Sequence, residues 1–150
     1  MYVPNSYREK GFKLFVLDVG LLGCMAGLRQ RTLLDGNDLF IEFKGALTEQ
    51  YVCQQLKTID DLGLYYYTND RNSCEIDFIV DIGEKIIPVE VKAEINLKAK
   101  KLKTYQEKFK PKISVRTSMA DFKKEDGLFN LPLYAIEKIN EIFQRGRFID

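Results

Sequence analysis

The stretch Glu75-Ile-Asp-Phe-Ile-Val-Asp-Ile-Gly-Glu-Lys-Ile-Ile-Pro-Val-Glu-Val-Lys92 decides how this chain is read. Two apolar-rich runs, Cys74 to Val80 and Ile86 to Lys92, flank Asp81-Ile82-Gly83-Glu84, and a turn-forming segment between two such runs predicts an antiparallel hairpin. Side chains alternate across a strand, so the register decides which of them share a face. A four-residue turn pairs Val80 with Lys85, Ile79 with Ile86, Asp77 with Pro88 and Glu75 with Glu90. One face then carries Ile76, Phe78, Val80, Ile87, Val89 and Val91, a continuous core surface. The other carries Glu75, Asp77, Glu90 and Lys92, with Ile79, Ile86 and Pro88 toward the turn. Asp77 and Glu90 become diagonal neighbours about 7–8 Å apart. Taken alone, this is also what a solvated sheet face looks like.

The segment before the hairpin adds a third carboxylate. Residues 39–58 predict a helix, ended by Asp60-Asp61-Leu62-Gly63. At about 3.6 residues per turn, Glu49 falls inside the arc of Ala46, Val52, Cys53, Leu56 and Ile59, on the face the helix buries. A lone ionised carboxylate there is unfavourable unless something pairs with it. A salt bridge would serve, and so would a metal ion shared with Asp77 and Glu90.

Working outward, Lys13 to Leu17 reads as a short strand, and Asp18 caps a helix running through Leu28. Residues 29–38 read as a loop, and Leu64 to Thr68 as a strand whose Tyr65, Tyr66 and Tyr67 alternate between faces. A polar loop covers 69–73. After the hairpin, a Lys-rich helix over 97–109 carries Leu102, Tyr105 and Phe109 as one packing stripe. Lys112 to Thr117 reads as a strand with Ile113 and Val115 inward, Asp121 to Gly127 as a charged loop, Leu133 to Ile136 as a last strand and Glu137 to Phe143 as a last helix. The chain is thus one α/β domain, 1–150, with an N-terminal extension (1–38), a core of order α-β-β-β-α-β (39–117) and a C-terminal strand-helix (118–150).

Composition narrows the chemistry. With 45% hydrophobic and 30% charged residues the chain reads as globular, and its longest apolar stretch, Phe12 to Leu28, is too interrupted to span a bilayer. The N-terminal residues lack the pattern of a signal peptide. A cytoplasmic location is expected. Cys24, Cys53 and Cys74 form no C-x-x-C pair and read as small buried thiols. There is no histidine, which excludes Ser-His-Asp and Cys-His triads and any imidazole base. No Walker A sequence is present, so the chain has no ATP site of the P-loop kind. Catalysis would rest on carboxylates, Lys or Tyr. Residues 92–112 hold eight lysines against Glu94 and Glu107, a local excess that suits phosphate binding or the solvated face of a helix.

Asp77 followed by Glu90-Val91-Lys92 resembles the D…E-x-K motif of the PD-(D/E)xK, restriction-endonuclease-like superfamily, whose core order is also α-β-β-β-α-β. Glu49 matches the carboxylate its members often place on the first core helix. Four blocks in order, 12–22, Gly45-Ala-Leu-Thr-Glu49-Gln-Tyr-Val52, Glu75-Ile-Asp77-Phe-Ile and Ile87-Pro-Val-Glu90-Val-Lys92, are similar to a domain of unknown function that follows a P-loop, AAA-like ATPase module in bacterial and archaeal proteins. Two positions depart from the superfamily pattern: Ile76 stands where the eponymous proline would be, and Lys110 replaces the tyrosine of the Q-x-x-x-Y signature that Gln106 would begin.

The resemblance implies a metal-dependent nuclease, or a nuclease-like nucleic-acid-binding domain, associated with an ATPase. Asp77 and Glu90, with Glu49 and the Val91 carbonyl, would hold one or two Mg²⁺ or Mn²⁺ ions. Lys92 would orient the attacking water and stabilise the transition state, while Lys98, Lys100, Lys101 and Lys103 would follow a nucleic-acid backbone. The implied partners are nucleic acid, DNA foremost, and the ATPase module in cis or trans. A homo-oligomer stays open. In the alternative reading the domain is a non-catalytic docking or regulatory module of a P-loop ATPase, its polar residues forming an internal ion-pair network. In the metal-free site, crowded carboxylates are expected to raise the pKa of Glu49 or Glu90.

Overall fold

In the hairpin, β2 (Glu75–Ile82) and β3 (Lys85–Val91) pair antiparallel through Ile82↔Lys85, Asp81↔Ile86, Val80↔Ile87, Ile79↔Pro88 and Phe78↔Val89. The turn is two residues, Gly83-Glu84, rather than the expected four. Gly83 has a φ of 64°, which a tight hairpin turn requires and glycine adopts without a steric penalty. The register therefore slides by two, which keeps the alternation of β3 but moves Asp77 one step beyond the last pair, opposite Glu90.

The computed structural model describes residues 13–28, 38–69, 74–94 and 100–144. The sequence readings of the loop at 29–37, of residues 70–73, of the first turn of the Lys-rich helix and of Lys98 lie outside these residues. The described elements are α1 (Val19–Met25), α2 (Asp38–Lys57), β1 (Gly63–Thr68), β2, β3, α3 (Lys100–Phe109), β4 (Ser114–Ser118), β5 (Lys123–Glu125), β6 (Leu128–Pro132), a 3-10 helix (Leu133–Lys138) and α4 (Ile139–Gln144). From α2 to β4 the order is α-β-β-β-α-β, as read. The strands form one six-stranded mixed sheet, β1-β2-β3-β4-β6-β5, in which β3–β4 and β4–β6 are parallel and the other pairs antiparallel. No helix among the described residues is long and apolar enough to cross a membrane.

Both faces of the sheet are covered. On one, Val52, Cys53 and Leu56 of α2 and Ile136, Ile139 and Phe143 pack on Phe78, Val80, Ile87, Val89, Val115, Phe129 and Leu131. On the other, Leu102 and Tyr105 of α3 pack on Cys74, Ile76 and Ile79. Strand β4 is buried at all five positions, as a central strand covered on both faces must be. Two of its polar members are tied to β6: Asn130 accepts from Arg116 Nε at 3.1 Å and from Ser118 Oγ at 2.8 Å, and donates to the carbonyls of Ala120 and Asp121.

Several sequence readings need correction. Ile76 does not share a face with Phe78, because β2 carries an extra residue: Tyr65 faces Ile79 but Tyr67 faces Ile76, so the alternation slips around Asp77 and Phe78. Lys13 to Leu17 is an irregular arm with a bend at Leu17, not a strand. Gln50 provides what a neighbouring strand would, accepting from the Val16 amide at 3.0 Å and donating to its carbonyl at 2.9 Å, and Gln54 accepts from Val19 at 3.0 Å. Helix α1 begins at the expected cap, Asp18 accepting from Leu21 N at 2.8 Å, but ends at Met25, where Gly27 in the left-handed region lets Leu28 N reach back to Gly23 O. The stretch 121–127 contains β5, paired with β6 across Asp126-Gly127, a dipeptide that favours a tight hairpin. Leu133 to Ile136 is helical rather than a strand. Pro132 lacks the donor to continue the ladder, and Leu133, Ile136, Ile139 and Phe143 recur at helical spacing. Cys24 is exposed, whereas Cys53 and Cys74 are buried.

Candidate functional site around Asp77

The two-residue slide of the register and the slipped alternation together decide where the acidic groups go. Beyond Phe78↔Val89 the strands part: Lys92 N donates to Thr117 O at 2.9 Å, so the end of β3 follows β4 and leaves β2. The Asp77 carboxylate fills the opening. Its Oδ2 accepts from Val91 N at 2.8 Å, replacing a ladder bond. Its Oδ1 accepts from Lys13 Nζ at 3.2 Å.

Lys13, absent from the predicted site, is the centre of the acidic cluster. Its ammonium also pairs with Glu49 on α2 and with Glu75 at 3.0 Å, and its side chain is only 17% exposed. Burial by itself would lower the Lys13 pKa, but hydrogen bonding to Glu49 and the charges of Asp77 and Glu49 outweigh it and hold the ammonium above the ordinary lysine range. Burial likewise raises the Glu49 carboxyl, opposed by the hydrogen bond from Lys13 and reinforced by the charges of Asp77 and Glu75. Glu49 thus faces inward on α2, and its partner is an ammonium.

Glu90 and Lys92 form the second half of the site. Val89 and Val91 pack toward α2, so the intervening Glu90 points toward α3. Glu90 is only 3% exposed. Its Oε1 accepts from Lys92 Nζ at 2.7 Å, and its Oε2 is buried without a hydrogen-bond partner. Burial raises the Glu90 pKa, the Lys92 hydrogen bond lowers it, and the charge of Asp77 raises it again. The expected direction therefore holds for both glutamates, with desolvation ahead of repulsion as the cause. The four predicted residues do not line one sheet face, as simple alternation required. Asp77 turns toward Lys13 and α2 and Glu90 toward α3, and what links them is the charge of Asp77 acting on the Glu90 carboxyl.

Of the lysines read as a backbone-binding row, Lys100, Lys101 and Lys103 are exposed on α3, and Lys101 reaches Glu75 Oε2 at 3.8 Å. Glu75 links the halves, touching Lys13 from one side and Lys101 from the other. The sequence places Glu75 on the polar face of the hairpin through its i, i+2 relation to Asp77, but not among the site residues. The signal for Lys13 was its charge within the apolar run from Phe12 to Leu17.

Among the described residues, no group of three or more His, Cys, Asp or Glu side chains is arranged to hold a metal ion. Glu49, Glu75 and Asp77 converge on the Lys13 ammonium. The available donors are all oxygens, the ligand type that hard divalent cations take, and Glu90 Oε2 is a buried acceptor still lacking a partner. The residues therefore fit such an ion in chemistry, with Lys13 holding the Glu49 and Asp77 oxygens.

No curated protein and no solved structure is significantly similar to the chain. Residues 44–136 match a family model described as Domain of unknown function (DUF4143). That range covers more than half of the sequence and includes Glu49, Glu75, Asp77, Glu90 and Lys92, so this chain belongs to the DUF4143 family.

Proposed function

We propose that this domain is a restriction-endonuclease-like, divalent-metal-dependent phosphodiesterase that acts on nucleic acid, DNA foremost, as part of a P-loop ATPase system. The observation that carries the reading is Glu90: a carboxylate 3% exposed, one oxygen on Lys92 and the other without a partner. A protein that needed only an ion pair would gain by replacing it with an apolar residue. Support comes from the α-β-β-β-α-β order and from Asp77, which sits where β2 and β3 separate.

In this reading Glu49, Asp77, Glu90 and the Val91 carbonyl would hold Mg²⁺ or Mn²⁺. Such an ion, when bound, acidifies a water and offsets charge growing on the phosphorus-bound oxygens. Lys92, held on Glu90, orients the attacking water and stabilises negative charge as it develops. Lys100, Lys101 and Lys103, joined by Lys98, bind the phosphate backbone.

One observation favours the docking reading. Leu14 and Leu17 on the arm are 83% and 85% exposed, an apolar display suited to a partner surface such as the ATPase module. In that case the Lys13 cluster and the Glu90–Lys92 pair are structural.

The test is cleavage of supercoiled and linear DNA and of single-stranded RNA with Mg²⁺, Mn²⁺ or EDTA, with Lys92→Gln as the control. Gln retains a donor for Glu90, so circular dichroism should match wild type while metal-dependent cleavage is lost. Equal activity in the variant, or none in wild type with and without the ATPase module, refutes the proposal.

A further inference from the structure

Lys13 brings a positive charge to the place where the proposed reaction needs one. Its ammonium pairs with Glu49, Glu75 and Asp77, two of which are the carboxylates assigned above to the divalent ion. An ammonium and a metal ion are attracted to the same oxygens for the same electrostatic reason, and the centre of the cluster accommodates one of them. A second, independent observation points to a ligand beyond Lys13. Glu90 pairs with Lys92 and not with Lys13, and its buried Oε2 has no partner. Lys13 therefore satisfies the Glu49 side of the site and leaves the Glu90 side incomplete.

The arm that delivers Lys13 is held, among the described residues, by a small set of contacts. Val16 N donates to the Gln50 side-chain oxygen and Val16 O accepts from its amide, Val19 N donates to Gln54 Oε1, and Phe15 packs on Phe78 with ring centroids 5.6 Å apart. Leu14 and Leu17 point to solvent. Phe15 is the arm residue that packs on the core among the described residues, so the attachment rests on that contact, on these hydrogen bonds and on the Lys13 ion pairs.

We propose that Lys13 is a tethered competitor for the divalent ion: the arm in place holds Glu49 and Asp77 through Lys13, and release of the arm yields those oxygens to the metal. The inference rests on the metal-site reading of Glu49, Asp77 and Glu90. It makes the arm the regulatory element of the site.

Binding of Mn²⁺, read by electron paramagnetic resonance of the free ion and by the Mn²⁺-induced rise in Tm, tests this without any catalytic readout. Lys13→Met should bind Mn²⁺ about tenfold more tightly or better, since a competing cation is gone. Lys13→Arg, which keeps the charge, should stay near wild type. Gln50→Ala, which loosens the arm with Lys13 intact, should also tighten Mn²⁺ binding, and it decides the matter if Lys13→Met does not fold without metal. Unchanged or weaker Mn²⁺ binding in folded Lys13→Met and Gln50→Ala, or no Mn²⁺ binding by any of the proteins at millimolar metal, overturns the proposal. Nucleic-acid cleavage is scored separately. Tighter binding by the variants with no cleavage by any protein keeps the competition and removes the phosphodiesterase. Cleavage by wild type with equal Mn²⁺ affinity in all variants does the reverse.

Discussion

Replacing Glu90 with Gln should stabilise the metal-free protein, and the size of the effect should depend on pH. In wild type the carboxylate is buried, one oxygen lacks a hydrogen-bond partner, and the Lys92 ion pair does not compensate fully, since the net result is a raised pKa. A buried unsatisfied polar atom costs about 1–3 kcal/mol and more when charged, whereas a partly exposed ion pair returns about 0–1 kcal/mol. Gln keeps the shape and removes the charge, so at neutral pH Glu90→Gln should gain about 1 kcal/mol, or about 2–4 °C in Tm for a domain of this size. The sign with pH follows from linkage. A carboxyl whose pKa is higher folded than unfolded gives full stability below the unfolded value, about 4.3 for Glu, and loses it as pH rises through the folded value. The advantage of Glu90→Gln should therefore vanish near pH 4 and grow to a plateau at higher pH. Thermal or urea unfolding of both proteins between pH 4 and 8 in EDTA measures it. A variant less stable than wild type at neutral pH, or a difference that does not change with pH, would refute the claim that Glu90 is a buried carboxylate held at a stability cost.

Two further outcomes follow from the same geometry. Gln50→Ala removes both side-chain bonds to Val16, leaving its amide and carbonyl without those partners, and should cost about 1–3 kcal/mol by urea unfolding while speeding hydrogen exchange at the Val16 amide well beyond that of Val89. Replacing Lys100, Lys101 and Lys103 together with Ala should weaken duplex DNA binding and flatten the log K against log salt plot by about 2–3 units of slope, as expected when about three phosphate contacts are lost; an unchanged slope would make these lysines merely the solvated face of α3.

The elements of the core were legible because each carried its own local signal. Period-2 apolar runs marked β2 and β3, helical spacing marked α2 and α3, and Asp18 marked a helix start that its hydrogen bond to Leu21 fulfils. The C-terminal third was harder to read. Pro132 and the helical recurrence of Leu133, Ile136 and Ile139 compete with a short apolar run that suits a strand, and Asp126-Gly127, a hairpin signal, sits inside a charged stretch that suits a loop. The arm at 13–17 looks like a strand because its residues suit extended backbone, and nothing local reveals that Gln50, far along the chain, supplies its partner.

For the candidate site, the residue types and the inward phase of Glu49 were available from alternation and helical pitch, which are properties of single elements. The arrangement was not. A two-residue turn in place of four moved Asp77 opposite Glu90, one extra residue in β2 broke the alternation beside it, and the departure of β3 toward β4 opened the gap that the Asp77 carboxylate occupies. Lys13 entered from a segment whose position depends on packing against α2. Periodicity carries information about one strand or helix at a time, so it can nominate Asp77, Glu90, Lys92 and Glu49. Which charge meets which is settled by loop length, strand divergence and long-range contact, and these exist only once the chain has folded.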